Sequence, residues 1–431
     1  MEYAFKKYGS GKVTWAELIE PARQLAANGF AINNELAGGL KSLKDRFGRY
    51  EDSKRIFLNN GNYLKEGDLL IQKDLAATLA RIQKNGAKGF YEGITAKLIA
   101  DDMKANNGLI TLEDLKNYKV REREPLRTKY RGHEIIAMPP PSSGGIVMFQ
   151  TLAMLEKYDL RKMEWSSAQK HHLLIEALRR SYADRAEYMG DPDFTNFPVK
   201  QLLDPNYNEK RRLTIDPNKA TRSADVRPGE LSGTEPTETT HFTVVDKDGT
   251  IASNTYTLNN GFGSFVTPKG TGVLMNNEMD DFASQPGKPN GFGLVQGERN
   301  KIELGKRPLS SMTPTIVLNK DGSPWFAVGA QGGPRIITAV IQTVINVIDY
   351  DMNIQAAMDA PRIHHQWLPD VVIYEPFSMS PETRKSLESM GHIFAPRPGY
   401  NASATGIAIE PGTNVRLGAT DARGEGEAVG Y

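Results

Sequence analysis

The stretch Thr239-Thr240-His241-Phe242-Thr243-Val244-Val245-Asp246-Lys247-Asp248-Gly249-Thr250-Ile251-Ala252-Ser253-Asn254-Thr255-Tyr256-Thr257-Leu258 decides how this chain is read. Two runs rich in β-branched and aromatic residues flank Lys247-Asp248-Gly249, and a three-residue loop ending in glycine is a favoured hairpin closure. That closure pairs Asp246 with Thr250, so His241 faces Thr255 and Thr239 faces Thr257. Side chains paired across two strands lie about 4.5–5.5 Å apart at Cβ, close enough for two hydroxyls to bond. A two-residue Asp248-Gly249 loop would shift the register by one and undo the pairing. On this stretch alone two readings stand. One is a Thr–Thr ladder that stabilises a sheet. The other is chemical: a threonine hydroxyl is a weak nucleophile until a base adjoins it, and a threonine that begins a chain carries that base as its own α-amine. The second reading requires a cut between Glu238 and Thr239.

Working outward, the 431 residues are long enough for a large core and for two or three domains. The charges nearly cancel, with 53 basic and 52 acidic residues, and this removes the electrostatic case for nucleic-acid binding, which needs a basic stripe. The longest apolar run, Ile336 to Ile348, is broken by Thr338, Gln342, Thr343 and Asn346 and falls short of the ~20 residues of a membrane span. The chain has no cysteine, which excludes disulfides, thiol nucleophiles and cysteine-ligated metals. Its first residues carry no apolar stretch of the kind a secretion signal has.

Apolar residues at helical spacing predict helices over Trp15–Gly29, Leu69–Asn85, Tyr91–Asn107, Thr111–Tyr118, Ile146–Tyr158 and His171–Tyr188. Strands are expected at Leu126–Tyr130 and Glu134–Met138, and later at Gly272–Met275, Thr315–Leu318 and Trp325–Val328, with a helix after Pro334. From Leu203 to Glu238 the composition turns to Pro, Asp, Thr, Ser and Arg without periodicity, as in an extended connector where cutting is tolerated. A helix-rich portion, 1–238, therefore precedes a strand-rich portion, 239–431, suggesting α+β layers sharing one core.

Several motifs have both a chemical and a structural use. Gln331-Gly332-Gly333-Pro334 closes a strand and opens a helix with Pro334 at its first position; bare backbone N–H groups there suit an oxyanion, or simply make a tight turn. Ser310 and Ser311, in Arg307-Pro308-Leu309-Ser310-Ser311-Met312, either contact a carboxylate or cap a turn. Asn276-Asn277-Glu278-Met279-Asp280-Asp281-Phe282 gathers three carboxylates, fit for a substrate cation or for a solvated loop. The histidines, including the pairs His171-His172 and His364-His365, follow no metal-binding spacing.

The order of these motifs says more than any one of them. Met138-Pro139-Pro140-Pro141-Ser142-Ser143-Gly144-Gly145, Tyr188-Met189-Gly190-Asp191-Pro192, Thr239-Thr240-His241-Phe242, Thr255-Tyr256-Thr257-Leu258-Asn259, the 276–282 and 306–312 segments, Gly332-Gly333-Pro334-Arg335 and Pro361-Arg362-Ile363-His364-His365-Gln366-Trp367 follow one another along the chain. In this the chain resembles the γ-glutamyltranspeptidase family of N-terminal-nucleophile hydrolases over essentially its whole length. The resemblance implies a four-layer αββα sandwich, α+β in class. It implies self-cleavage before Thr239 into a large and a small fragment that stay associated, with Thr239 as nucleophile and its freed amine as base.

By the same resemblance Thr257 is the threonine that bonds the nucleophile, and Gly332 and Gly333 form the oxyanion hole. Asn259, Glu278 and Asp281 hold the α-amino group of a γ-glutamyl donor, and Ser310 and Ser311 hold its α-carboxylate. The implied reaction passes the γ-glutamyl group of glutathione or a similar amide through a threonyl ester to water or to an amino-acid or peptide acceptor. No cofactor or metal is implied, no nucleic acid or membrane span, and the address is periplasmic or extracellular.

Pro286–Lys306 resembles the family's lid loop, with Phe292 where some members carry a tyrosine. The resemblance further implies that the chain begins within the large subunit, behind a portion that supplies an arginine to the donor carboxylate. Arg23, on an amphipathic helix, is no substitute for it. Two alternatives remain: an acylase of the same family acting on glutaryl or cephalosporin-type amides, and a non-catalytic, uncleaved fragment.

Overall fold

The structure, a computed structural model, describes residues 1–226 and 240–430. Thr239, Glu238 and the expected division between them lie outside the described residues. The chain forms two compact units, one of Met1–Glu122 with Phe262–Asn277 and one of Arg123–Gly261 with Glu278–Tyr431.

The first unit is helical, as expected. Helix α1 (Trp15–Asn28) starts at a capping box in which Glu17 N donates to Thr14 Oγ1 and Thr14 N to Glu17 Oε2. It packs against α2 (Lys73–Asn85), which is followed by α3 (Gly93–Ala105). The expected helix from Leu69 begins only at Lys73. Leu69–Leu70 instead pairs with Phe30–Ala31, with Leu70 buried between exposed Leu69 and Ile71, a period of two rather than 3.6.

A second departure is Gly272–Met275, which forms no strand. Gly272 has φ +66°, and the segment folds back so that Met275 N donates to Val266 O and Ser264 N to Met275 O. These residues complete an aromatic core in which Phe47 meets Phe57, Phe262 and Phe265.

The second unit is built on a six-stranded antiparallel sheet. Its strands are β1 (Leu126–Tyr130), β2 (His133–Ala137), β5 (Thr315–Leu318), β6 (Pro324–Gln331), β7 (Ser403–Ile409) and β8 (Arg416–Thr420), in the order β8-β7-β6-β5-β2-β1. Helices α4 (Gly144–Leu155) and α7 (Arg335–Ile348) pack on each other and on the sheet. Both are buried almost all round. That is why their apolar residues run nearly unbroken rather than in a stripe. Helix α5 (Ala168–Tyr188) lies against α4. Part of the expected connector is a helix, α6 (Pro205–Leu213). Its start was readable, since Asp204 accepts from the N–H of Asn206 and Tyr207 and Pro205 occupies the first turn.

The opening stretch forms a separate two-stranded ribbon, β3 (Thr240–Val245) and β4 (Ile251–Tyr256). His241 faces Thr255 and Val245 faces Ile251, the register of the three-residue loop. The ribbon packs on β6 and β7, giving the second β layer of an α+β stack of helices, sheet and ribbon. Its seat is specific. The imidazole of His241 lies where any side chain on Gly329 of β6 would have to go. Its Nδ1 bonds Thr255 Oγ1 at 2.8 Å, and Thr405 Oγ1 donates to its backbone carbonyl at 3.2 Å.

Candidate active site

Just past the end of β4 the chain turns sharply. Thr257 Oγ1 accepts from Asn259 N at 2.8 Å, and Asn259 adopts φ +76°, a left-handed conformation that asparagine tolerates better than most residues. This turn is one wall of a small cavity lined by Thr257, Asn259, Asp281, Phe292, Leu294, Ser310, Ser311, Met312, Gly333, Pro334 and Ile336. Wider clefts exist, one of about 1230 Å³ around His133, Asp248 and Glu410, but they lie at open surface. The smaller cavity is distinguished by convergent polar groups over an apolar floor.

Six of the nine residues singled out from the sequence line this one cavity: Thr257, Asn259, Asp281, Ser310, Ser311 and Gly333. Gly332 adjoins Gly333, and the Glu278 carboxyl bonds that of Asp281. The ninth, Thr239, precedes the first described residue of β3. Thr240 pairs with Tyr256, the neighbour of Thr257.

The glycine turn follows β6. Gly332 has φ +139° and Gly333 φ +54°, and a side chain on Gly332 would strike Ala402. Pro334 precedes α7 as its cap rather than occupying its first position, a shift of one residue from expectation.

The two serines are held from behind by the Pro139–Gly144 segment. Ser310 N donates to Pro141 O at 3.0 Å, Ser143 N to Ser310 O at 2.8 Å, and Ser142 Oγ to Met312 O at 2.7 Å. Ser310 Oγ accepts from Met312 N at 3.0 Å. A hydroxyl has one proton and two lone pairs, so a Ser310 oxygen occupied this way can aim its O–H into the cavity as a donor.

The acidic segment is a short 3-10 turn, Glu278–Asp281, rather than a solvated loop. Packing against protein pushes the Glu278 carboxyl up to about 7, despite its bond to Asp281. Asp281 is driven well above the usual carboxylate range by burial first and by the Glu278 charge second, with Arg185 opposing. Two carboxylates this close cannot both ionise cheaply. The pair holds a proton when empty and can exchange it for a bound cation.

Sequence reasoning missed the residues that tie the walls together. Asn300 Nδ2 donates to Asp281 O at 2.7 Å while its Oδ1 accepts from Leu309 N at 3.0 Å, and Gln296 Nε2 donates to Asp281 O at 3.0 Å. Both belong to the 286–306 segment, whose Phe292 is buried at the cavity. Arg185, on α5, reaches Ser311 from behind. The sequence of α5 carries charges at most of its turns, so nothing in it singled Arg185 out. Among the described residues no cluster of three or more His, Asp or Glu side chains is placed to hold a metal ion, and no helix is long and apolar enough to cross a membrane.

A ribbon stacked on an antiparallel sheet with helices behind it, and a polar cavity where the ribbon ends, is the architecture of the N-terminal-nucleophile hydrolases. A cephalosporin acylase from Bacillus halodurans superposes with a TM-score of 0.87 at 26% identity, covering 100% of this chain and 76% of that one. The family model described as gamma-glutamyltranspeptidase matches residues 1–431. The chain is 46% identical to a glutathione hydrolase proenzyme of Pseudomonas sp. strain A14, over 100% of this chain and 76% of the relative. It is 45% identical to that of Escherichia coli K12, over 97% and 72%. The chain belongs to the γ-glutamyltranspeptidase family.

Proposed function

We propose that this protein cleaves itself between Glu238 and Thr239 and then transfers the γ-glutamyl group of glutathione and related amides to water or to an amino-acid or peptide acceptor. One observation carries the reading. Thr257, Asn259, Asp281, Ser310, Ser311 and Gly333, drawn from four separated segments, line a single cavity beside the start of the ribbon.

In this reaction the freed α-amine of Thr239, with an ordinary pKa of about 7.7–8.0, takes the proton of its own hydroxyl as Oγ attacks the γ-carbonyl. The tetrahedral oxyanion is met by the amides of Gly332 and Gly333, each such donor contributing roughly 2.7–4 kcal/mol. The ammonium then returns the proton to the departing amine, leaving a γ-glutamyl threonyl ester. Water or an acceptor amine gives up a proton to the same base and releases the product. The Glu278–Asp281 pair meets the donor's α-ammonium, and the hydroxyls of Ser310 and Ser311 meet its α-carboxylate. The two fragments stay associated after the cut, and the protein acts in the periplasm or outside the cell.

Intact mass measured during incubation tests the first step. Two pieces, 1–238 and 239–431, are expected, and Thr239→Ala is expected to leave one. A single uncut mass for the unaltered protein under all conditions overturns the reading. Release of aniline chromophore from a γ-glutamyl anilide but not a glutaryl anilide separates this activity from that of an acylase. The buried acid pair favours the former, because a donor without an amine leaves it with no cation to hold.

A further inference from the structure

Four arginines are buried among the described residues: Arg179, Arg180, Arg185 and Arg362. Three of them have a carboxylate within ion-pair distance. Arg179 pairs with Glu176 and Asp370, Arg180 with Glu176 at 2.6 Å, and Arg362 with Asp421 at 2.7 Å. Arg185, only 1% exposed, has none among the described residues. Its acceptors are neutral: Ser143 Oγ at 2.9 Å from Nε, Ser311 Oγ at 3.4 Å from Nη2, and Gln296 Oε1 at 3.5 Å from Nη1. A guanidinium has five N–H donors, so two remain beyond these three contacts, two of which are long. Burying an arginine this way without an anion is costly, and burial pushes its pKa down to about 10.

We infer that Arg185 is a positioning residue for the donor's α-carboxylate, acting through Ser311. The inference rests on the γ-glutamyl reading above. Ser311 lines the cavity, and its oxygen accepts from Arg185 on the far side. With one lone pair taken from behind, the Ser311 O–H points forward as a donor, matching that of Ser310. Ser143 locks the arrangement, since its Oγ accepts from Arg185 while donating to Ser310 O at 2.8 Å. The two serine O–H groups thereby form a neutral donor pair with a fixed positive charge behind it. A carboxylate bound there supplies the anion that the other three buried arginines already have, and charge-assisted bonds of this kind shorten and strengthen. Gln296 links this cation to the opposite wall, because its Oε1 accepts from Arg185 while its Nε2 donates to Asp281 O.

The test compares two donors that share the reacting amide and the amine. A γ-glutamyl anilide carries the α-carboxylate, and a 4-aminobutyryl anilide lacks it. Arg185→Gln is expected to raise KM for the first about tenfold or more with kcat changed less than about threefold, and to raise KM for the second by less than about threefold. Arg185→Lys, which keeps the charge but not the fork, is expected to raise KM for the γ-glutamyl anilide by a smaller factor, and it carries the test if the glutamine variant fails to fold. Equal losses on both donors, or no change on the γ-glutamyl donor in a folded variant, overturn the inference. No turnover of γ-glutamyl anilide by the unaltered, self-cleaved protein overturns the γ-glutamyl reading itself and the inference with it.

Discussion

The two walls of the cavity are built by opposite means. One brings Glu278 and Asp281 into direct contact, so that an empty pocket holds like-charged groups together and keeps them partly protonated. The other presents two neutral serine hydroxyls set by backbone bonds to the Pro139–Gly144 segment, with the guanidinium of Arg185 behind them. The acid wall is unfavourable until a cation arrives. The serine wall is already satisfied and needs only to turn two O–H bonds. On the proposed reading they would together select a zwitterion, and they should differ in sensitivity to mutation, to pH and to heat.

The largest effect is expected from Asp281→Asn. Removing one partner of a buried charge pair costs roughly 3–5 kcal/mol, so kcat/KM for a γ-glutamyl anilide should fall about 10²–10⁴-fold. Residual cleavage of a glutaryl anilide should hold or rise. Equal losses on both donors would show that Asp281 supports the fold rather than the amine. Next comes Ser310→Ala, where one hydrogen bond to a charged group contributes about 1.5–3 kcal/mol. A loss of roughly 10–10²-fold is expected for donors with an α-carboxylate and little change for 4-aminobutyryl anilide.

A pH profile sharpens the contrast further. The empty Glu278 carboxyl titrates near 7 and must be ionised to hold an ammonium, so KM for the γ-glutamyl donor should climb as pH falls through 7, by up to about tenfold per unit. The same profile with glutaryl anilide should lack this limb. A shared limb would instead assign it to the threonine amine.

The smallest effect concerns stability. A carboxyl whose pKa is raised on folding contributes stability at low pH that is lost as pH rises from its ordinary 4.5 through about 7. Glu278→Gln should therefore raise the unliganded melting temperature by roughly 2 °C at pH 8 and leave it unchanged at pH 5, read by calorimetry against the parent at each pH.

Different parts of this molecule were legible to different degrees, for physical reasons. The ribbon register could be read because a three-residue loop ending at Gly249 allows one pairing, and Asp246 clasps it by accepting from Asp248 N and Thr250 N. The glycine turn at 332–333 was equally plain, sitting between an apolar strand and an apolar helix. The Glu278–Asp281 segment was harder, since acids in a loop look alike whether solvated or buried, and only packing raises their pKa. Arg185 was not legible at all. Its meaning lies in contacts with Ser143, Gln296 and Ser311, each at least 42 positions away. The helix at Pro205–Leu213 and the lost strand at Gly272–Met275 erred in opposite directions. In the first, a cap signal was outweighed by polar composition; in the second, apolar composition outweighed a glycine at positive φ.

The seat of the ribbon has a consequence for every titration of this protein. Burial pushes the imidazole of His241 down to about 4, and it fills the space that a side chain on Gly329 would take. Across the range where the catalytic groups change charge, the platform beneath them keeps one protonation state. An activity shift seen near neutrality therefore does not arise at this seat.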